Sequence, residues 1–215
     1  DLENINKKNQ LDKKPSESTI EIKAEEIKLQ EKARSLDLIS KLPSRVLGNS
    51  DAPNTLVVFT DMQCPFSKQF HVATTKLLEK YNDKVNLVYK HVPLPMHNPK
   101  AKSLALAAEC IGEVSGLENY RAFVDLAFTV TSDQDVEEII HGFLTTNNIP
   151  EETMMTCIQS ETHTAVVEAD IQLADELGIR GTPTTFLVNN TTKDVEVFQG
   201  VKTNEELDSL IQTIL

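Results

Sequence analysis

The amino-acid sequence predicts an α/β protein in which a mainly helical block separates a β-α-β unit from a β-β-α unit. Two apolar runs, 55–60 and 85–92, flank a helix-like segment within about forty residues, which implies parallel strands. Two short runs, 184–189 and 194–200, are joined by a polar turn typical of an antiparallel hairpin. Between the two units, residues 100–178 have helical composition almost throughout.

The composition indicates a folded chain with an acidic surface. The 215 residues are 40% hydrophobic, which is enough for a buried core, and no apolar run is long enough to span a membrane. Residues 1–42 hold nine basic and nine acidic side chains, so the whole net charge of −12 falls on the remainder. Because such a surface repels phosphate backbones, we expect no nucleic-acid partner.

The N-terminal region divides into a polar lead and a helix. Residues 1–17 carry almost no apolar side chains and are expected to be flexible. Residues 18–42 lack Gly and Pro, and Pro43 ends the predicted helix. Its apolar stripe consists of Ile22, Leu29, Ala33 and Leu36, with Ile39 beside it. This stripe must pack on its own domain or against copies of the chain, and Glu25 and Lys32 interrupt the heptads that self-pairing needs.

The first strand and the first helix of the β-α-β unit meet at Cys64 and Pro65. "TLVVFT" (55–60) is apolar and β-branched, which is typical of a buried strand. Pro65 suits the first position of a helix, and that helix is expected to run to about Tyr81. The following run "VNLVYKHV" (85–92) supplies the second strand. Cys64 is therefore expected at the C-terminal edge of the sheet.

The second half of the chain begins with a predicted all-helical domain over residues 96–178. Four helical stretches fill it, at residues 101–116, 117–130, 133–147 and 151–178. The hairpin follows, and the chain closes with an amphipathic helix. Thr203 is the expected N-cap of this helix, and Glu206 completes a capping box.

Cys64 lies where a thiol is chemically activated. Over the first turn of a helix, backbone N–H groups lack partners and the helix dipole adds partial positive charge. Both effects favour the thiolate, which is the nucleophile in disulfide exchange. The alternative is an inert core cysteine. Against it, ligands of α/β sheets collect at the C-terminal ends of strands, where Cys64 is placed.

A second candidate element precedes the hairpin. "GIRGTPTTFLV" (178–188) places Pro183 just ahead of a strand, and Gly181 with Thr182 lets the chain turn tightly. A cis bond between Thr182 and Pro183 would expose the backbone of Thr182 near the other strand ends. Cis X–Pro bonds are a minority, so the sequence leaves the isomer open.

Three segments together resemble the DsbA-like thiol–disulfide oxidoreductases. They are "GNSDAPNTLVVFTDMQCPFS", "VYKHVPLPMHNPKAKSLALAAEC" and "ADELGIRGTPTTFLV", in the order of that family. The resemblance covers roughly residues 46–215. It implies a thioredoxin-like domain made of residues 43–95 and 179–215, with the helical domain 96–178 inserted between its halves.

The resemblance also implies roles for individual residues. Cys64 would be the exposed nucleophile, and Pro65 with Phe66 would tune its redox potential. Pro183 would be the cis-proline beside the sulfur. Thr182 would offer backbone hydrogen bonds to an extended substrate chain, a form of strand addition.

The resemblance implies an extracytoplasmic location, in the bacterial periplasm or cell envelope. Substrates would be cysteine-containing proteins, with a membrane or soluble redox partner and no cofactor. The chain starts at Asp1 without an apolar signal region, so we expect a signal or anchor segment to be missing from it. No metal is expected, because three cysteines and five histidines show no close ligand pairs.

Two positions depart from the family pattern. Members commonly carry a buried acidic residue six positions before the nucleophile, where this chain has Val58. The nearest acid is Asp61, and we expect it to act from the surface if it tunes Cys64. The second departure is Ser67, which occupies the position of the resolving cysteine. Serine forms no disulfide, although it can donate a hydrogen bond to a thiolate.

Three explanations of Ser67 stay open at this point. It is an engineered substitution that traps complexes, a natural residue of a monothiol enzyme, or a sign that only binding is retained. The other two cysteines, Cys110 and Cys157, either form a structural disulfide or are buried free thiols. If they pair, Cys64 is the one thiol left over.

Four functions follow from these alternatives. The first two are disulfide oxidase and disulfide isomerase, and residues 18–42 would supply the assembly element of an oligomeric isomerase. The third is a non-catalytic module that binds extended clients near Pro183. The fourth is a serine-dependent transferase of the kappa-class glutathione transferase type, which the order of Cys64 and Ser67 fits poorly.

Overall fold

A four-stranded mixed sheet forms the centre of the fold. The computed structural model describes residues 17–36, 45–160 and 162–214. The strands are β1 (Asn54–Thr60), β2 (Val85–His91), β3 (Thr184–Asn189) and β4 (Val195–Gln199). Their order in the sheet is β2-β1-β3-β4. β1 and β2 are parallel, and the β1–β3 and β3–β4 pairs are antiparallel. The predicted parallel pair and C-terminal hairpin are therefore confirmed.

Eight α-helices surround or extend from this sheet within the described residues. They are α1 (Glu17–Ser35), α2 (Pro65–Tyr81), α3 (Lys100–Ser115), α4 (Leu117–Ala127), α5 (Val136–Thr146), α6 (Glu151–Gln159), α7 (Thr162–Leu177) and α8 (Asn204–Ile214). A short 3₁₀ helix, Pro95–His97, lies between β2 and α3. None of the helices in the described ranges combines the length and apolar character needed to cross a membrane.

The sheet buries different side chains on its two faces, because successive strand residues point to opposite sides. Leu56 and Val58 of β1 belong to a large core shared with α2, α8 and the helical domain. Val57 and Phe59 belong to a smaller core with α1 and α7. In that core, the rings of Phe59 and Phe186 pack edge to face with centroids 5.6 Å apart. β1 is thus one of the two inner strands, and it is buried on both faces.

Helix α2 carries Cys64 at its N-terminus. Cys64 has extended backbone angles (φ −70°, ψ 124°) and is the N-cap, and Pro65 follows in the first turn. The buried face of the helix consists of Ser67, Phe70, Ala73, Thr74, Leu77 and Leu78. Since these positions recur at three- and four-residue spacing, one side of α2 lies on the sheet. That packing holds the start of α2 at the C-terminal end of β1.

The C-terminal half of α1 packs on its own domain. Leu29 and Ala33 are buried in the smaller core, and the Gln30 side chain donates a hydrogen bond to the carbonyl of Val195 in β4. Ile22, on the same apolar stripe, is 52% exposed, so the packing on its own domain does not extend to this residue. Residues 18–24 of α1 are exposed.

Two predictions for the N-terminal region fall outside the described residues. The flexible lead over residues 1–17 lies almost wholly in the segment 1–16. The predicted helix end at Pro43, with Ile39 on its stripe, lies in the segment 37–44.

The helical domain has one more helix than the sequence predicts. The stretch predicted as a single helix over 151–178 is divided into α6 and α7. Near the division, the Ser160 hydroxyl donates to the carbonyl of Cys157 at 2.7 Å. Serine competes in this way for a helix carbonyl, which favours a helix end. A disulfide joins Cys110 of α3 to Cys157 of α6, with Sγ atoms 2.13 Å apart.

Candidate active site

The sulfur of Cys64 lies between the start of α2 and the loop before β3. The thiol donates a hydrogen bond to the carbonyl oxygen of Thr182 at 3.3 Å. Cys64 is 5% exposed, so it is more covered than the exposed nucleophile that the family resemblance implied. The cover comes from the second half of the fold, since Thr182 belongs to the segment after the helical domain.

The bond between Thr182 and Pro183 is cis. The Pro183 carbonyl accepts a hydrogen bond from the backbone N–H of Gly200 at 2.8 Å, and the Thr184 hydroxyl donates to the carbonyl of Gly181 at 2.8 Å. These bonds tie the loop to β4 and to its own turn. The Thr182 hydroxyl oxygen is buried and has no hydrogen-bond partner among the described residues.

The residues that follow Cys64 differ sharply in exposure. Pro65 is exposed and Phe66 is 63% exposed, so both face outward beside the sulfur. Ser67 is 1% exposed and lies on the buried face of α2. Its hydroxyl oxygen is buried without a hydrogen-bond partner among the described residues. The candidate nucleophile is thus followed by the exposed ring of Phe66 and the buried hydroxyl of Ser67.

Asp61 is buried beside the site, which corrects the expectation that it acts from the surface. One carboxylate oxygen accepts from the backbone N–H of Gln63 at 2.7 Å. The other accepts from the backbone N–H of Leu94 at 2.9 Å and lies 2.7 Å from Nδ1 of His97. Three hydrogen-bond donors reduce the free-energy cost of burying this carboxylate. Sequence reasoning missed His97, because Asp61 and His97 belong to different loops.

A second link joins the site to the helical domain. Lys68, one helical turn after Cys64, donates from its ammonium group to the carbonyl of Val130. Nε2 of Gln63 donates to the same carbonyl at 3.2 Å. Burial lowers the pKa of Lys68, and the negative charge of Asp61 opposes that effect. The spacing of four residues from Cys64 is the one sequence signal that places Lys68 on the same side of α2.

Further buried charged groups surround the last residue of β2. Nε2 of His91 is 3.2 Å from a carboxylate oxygen of Glu109, and Arg45 is 3.1 Å from the other oxygen. Burial acts to raise the pKa of Glu109. The hydrogen bond and charge of His91, with the charges of Arg45 and His163, outweigh burial and hold that pKa below its usual value.

A buried ion pair follows on the other side of the same strand. The ammonium of Lys90 is 2.7 Å from a carboxylate oxygen of Asp170 in α7. The other Asp170 oxygen accepts from the backbone N–H of His91 at 2.9 Å. Asp170 therefore fixes the end of β2 against the helical domain with two of its lone pairs.

The chemistry available to this arrangement is that of a single thiol. All three cysteines lie in the described ranges, and Cys64 is the one that is not in a disulfide. Cys64 lies at the N-terminus of α2, and helix N-termini in general favour nearby negative charge. Ser67 offers a hydroxyl in place of a second sulfur. The described residues therefore give this site one free sulfur and no second free thiol with which it could form a disulfide.

Comparison with known proteins gives the same picture. The family model described as thioredoxin matches residues 40–213 of the chain. The chain is 28% identical over 176 residues to disulfide bond formation protein D of Bacillus subtilis, covering 77% of this chain and 79% of that one.

Two solved structures share the fold. Pseudomonas aeruginosa DsbA2 is 26% identical and superimposes with a TM-score of 0.68, over 81% of this chain and 96% of that one. The thiol-disulfide exchange protein alpha-DsbA2 of Wolbachia pipientis is 19% identical with a TM-score of 0.71, over 91% and 98%. The match to the family model, the inserted helical domain and the placement of Cys64 agree, and the chain belongs to the thioredoxin family as a DsbA-like member.

Proposed function

We propose that the protein performs thiol–disulfide exchange on cysteine-containing proteins, with Cys64 as the nucleophile. The observation that carries the proposal is the position of its free sulfur, at the N-terminus of α2 and against the cis bond of Thr182 and Pro183. Helix N-termini favour thiolates, and thiolates attack disulfides. The backbone of Thr182 is then the candidate edge to which an extended substrate chain adds.

The proposed step is a single exchange. The Cys64 thiolate attacks one sulfur of a substrate disulfide, and a new bond forms between the two sulfurs. The old substrate bond breaks, and its second sulfur leaves with the electron pair as a thiolate. Ser67 has no sulfur with which to attack the mixed disulfide. Release of the substrate therefore needs a thiol from outside the chain.

The test is the capture of that intermediate. The protein is mixed with an oxidised model substrate, quenched with acid and analysed by mass spectrometry without reduction. We expect an adduct at Cys64 that persists until a small thiol is added. Cys64→Ala must give no adduct, and Ser67→Cys must release the substrate without an added thiol. An adduct that survives in Cys64→Ala would reject the proposal.

The same variants separate the explanations of Ser67. If Ser67→Cys turns over substrate and the chain as it stands does not, Ser67 acts as a trap of a dithiol enzyme. If the chain turns over with glutathione present, it is a monothiol enzyme. The buried state of the Ser67 hydroxyl argues against the glutathione transferase alternative, which needs a serine that reaches its substrate.

A client-binding module is the second candidate function. It is favoured by the outward-facing ring of Phe66, which presents apolar surface directly beside Cys64. In that case, an unfolded, cysteine-free peptide binds equally to the chain and to its Cys64→Ala variant. Loss of the peptide on Phe66→Ser, measured by fluorescence anisotropy, would locate the contact. Absence of any peptide binding would remove this candidate.

We infer an extracytoplasmic location, in the periplasm or cell envelope, with a membrane or soluble redox partner. The disulfide between Cys110 and Cys157 supports the location, because such bonds persist in oxidising compartments. The choice between oxidase and isomerase depends on assembly. Ile20, Ile22 and Ile27 of α1 are more than half exposed, which supports self-association through residues 18–42. Light scattering with and without residues 1–42 tests this, and an unchanged mass per particle would exclude it.

A further inference from the structure

Three helices bring two sulfur atoms and an imidazole together in the helical domain. Cys110 lies on α3, Cys157 on α6 and His163 at the start of α7. Both sulfur atoms and a ring nitrogen of His163 lie within 4.8 Å of one another, and all three residues are buried. The sequence spacing hides this cluster, since 47 residues separate the two cysteines.

The orientation of His163 leaves one of its nitrogens available. Nε2 lies 2.5 Å from a carboxylate oxygen of Glu113, and an ionised carboxylate only accepts, so Nε2–H is the donor. Nδ1 is buried and has no hydrogen-bond partner among the described residues. His163 as a whole is 5% exposed. A buried imidazole whose second nitrogen is held by a carboxylate is the arrangement typical of metal-ligating histidines.

We propose that Cys110, Cys157 and His163 bind a Zn²⁺ ion when the disulfide between the two cysteines is reduced. Two thiolates and one imidazole form a donor set that Zn²⁺ uses in sites with an open fourth position. The proposal concerns the helical domain and does not depend on the function of Cys64.

Reduction of the disulfide and binding of Zn²⁺ are two separate steps. A phosphine reductant gives two electrons to the disulfide and takes an oxygen atom from water, which leaves two thiols and a phosphine oxide. Binding of Zn²⁺ then releases both thiol protons. The resulting unit of two thiolates and one dication carries no net charge. It therefore costs far less to bury than two unpaired thiolates would.

The distances allow this rearrangement. Zn–S and Zn–N bonds of about 2.3 and 2.0 Å require tetrahedral ligand atoms roughly 3.5–3.8 Å apart. Reduction frees the two sulfur atoms from each other, and the Cα atoms of Cys110 and Cys157 are 5.8 Å apart. The nitrogen–sulfur separations lie within 4.8 Å, so each is at most about 1.3 Å longer than tetrahedral ligation requires. Glu109 and Glu113 of α3 interact with the imidazole of His163 and add negative charge around the site.

The experiment uses the full chain with Cys64→Ala, which removes the other thiol that could bind metal. The protein is reduced with a water-soluble phosphine and titrated with Zn²⁺ against a chromophoric chelator, and Co²⁺ serves as a spectroscopic probe. We expect one Zn²⁺ per chain in the reduced form, none in the oxidised form, and a thiolate-to-Co²⁺ charge-transfer band in the near ultraviolet.

Two histidines provide a matched comparison in this background. His163→Gln is expected to weaken Zn²⁺ binding by at least about 10-fold, since it removes a ligand. His141→Gln is the control, because His141 is largely exposed and forms its ion pair with Glu151 at 3.6 Å. Glu113→Gln should weaken binding by about 10-fold through loss of the carboxylate that orients the ring.

Each outcome decides the proposal. Absence of stoichiometric binding by the reduced chain, or equal binding by the His163→Gln and His141→Gln variants, overturns it. If reduction unfolds the chain, circular dichroism is measured with and without Zn²⁺. Refolding by one equivalent of the ion supports the site, and a chain that stays unfolded with Zn²⁺ rejects it.

Discussion

The thiol of Cys64 donates to the carbonyl oxygen of Thr182 at 3.3 Å, across 118 positions of the chain. One residue ends the first strand–turn unit, and the other precedes the hairpin. Each half of the thioredoxin-like domain therefore contributes one atom to this contact. The antiparallel pairing of β1 with β3, in which Phe59 lies opposite Thr184, brings the two segments together.

Alkylation should distinguish the three cysteines. With native protein at pH 7, iodoacetamide is expected to modify Cys64 alone, because Cys110 and Cys157 are bonded to each other. Peptide mapping by mass spectrometry measures the site. The Cys64→Ala variant serves as control and should remain unmodified until a reductant is added. Labelling of Cys110 or Cys157 in unreduced native protein would contradict the pairing.

Replacement of Ser67 by alanine should not harm the fold. The hydroxyl is buried without a partner among the described residues, so its removal relieves a desolvation cost of about 1–3 kcal/mol, partly offset by lost packing. We expect Ser67→Ala to be neutral or to raise the free energy of unfolding by up to about 1 kcal/mol. Urea denaturation measures this. A loss of more than about 1 kcal/mol would show that the hydroxyl has an important partner.

The contact of Asp61 with His97 should stabilise both loops. Asp61→Asn leaves backbone donors and the imidazole with a weaker acceptor, and we expect a loss of about 1–3 kcal/mol in the free energy of unfolding. His97→Gln should cost less, since Asp61 keeps its two backbone donors. A double-mutant cycle isolates the pair. Strictly additive effects would show that the 2.7 Å contact contributes nothing.

The ion pair of Lys90 and Asp170 should be costly to break from one side. Both side chains are about 95% buried, and removal of one partner strands the other charge. Lys90→Met is expected to cost about 3–5 kcal/mol. The double variant with Asp170→Leu should recover part of that loss, although the N–H of His91 then loses its acceptor. Thermal denaturation of Lys90→Met, Asp170→Leu and the double variant tests this. A smaller loss of stability in Lys90→Met than in the double variant would contradict it.

The buried carboxylate of Glu109 should make stability depend on acid pH. Its folded-state pKa lies below the usual value of 4.5, so the chain binds fewer protons when folded than when unfolded. The contribution is fully present above pH 4.5 and is lost as the pH falls through the folded-state pKa. The Glu109→Gln variant should thus have a lower free energy of unfolding than the unaltered protein at pH 7. This difference in free energy should become smaller below pH 4.5. If the difference in free energy of unfolding stayed constant from pH 7 to 3, ionisation of Glu109 would not contribute to stability.

The strands and the location of Cys64 were predictable because their signals are local. β3 covers the predicted residues 184–189, and β1 differs by one residue from the predicted 55–60. The capping box is confirmed as well. Thr203 N–H donates to the Glu206 carboxylate at 2.8 Å, and Glu206 N–H donates to the Thr203 hydroxyl at 3.3 Å.

Contacts between distant segments were not predictable in the same way. His97 reaches Asp61 only because β1 and β2 are parallel neighbours, which brings the loops after them to one edge. His163 reaches the two sulfur atoms because α3, α6 and α7 pack together. Ile22 fits an apolar stripe but is exposed, since a stripe gives no information on where the supporting surface stops. The spacing of apolar residues shows which side chains share a helix face, whereas their burial depends on which other element packs against that face.

The carbonyl oxygen of Val130 has a mechanical consequence. It accepts hydrogen bonds from the side chains of Gln63, one residue before Cys64, and of Lys68, four residues after it. A single atom of the helical domain thus binds the chain on both sides of the candidate nucleophile. A displacement of Val130 relative to α2 would lengthen both of these hydrogen bonds. The hydrogen bonds on either side of Cys64 therefore depend on where the helical domain holds Val130.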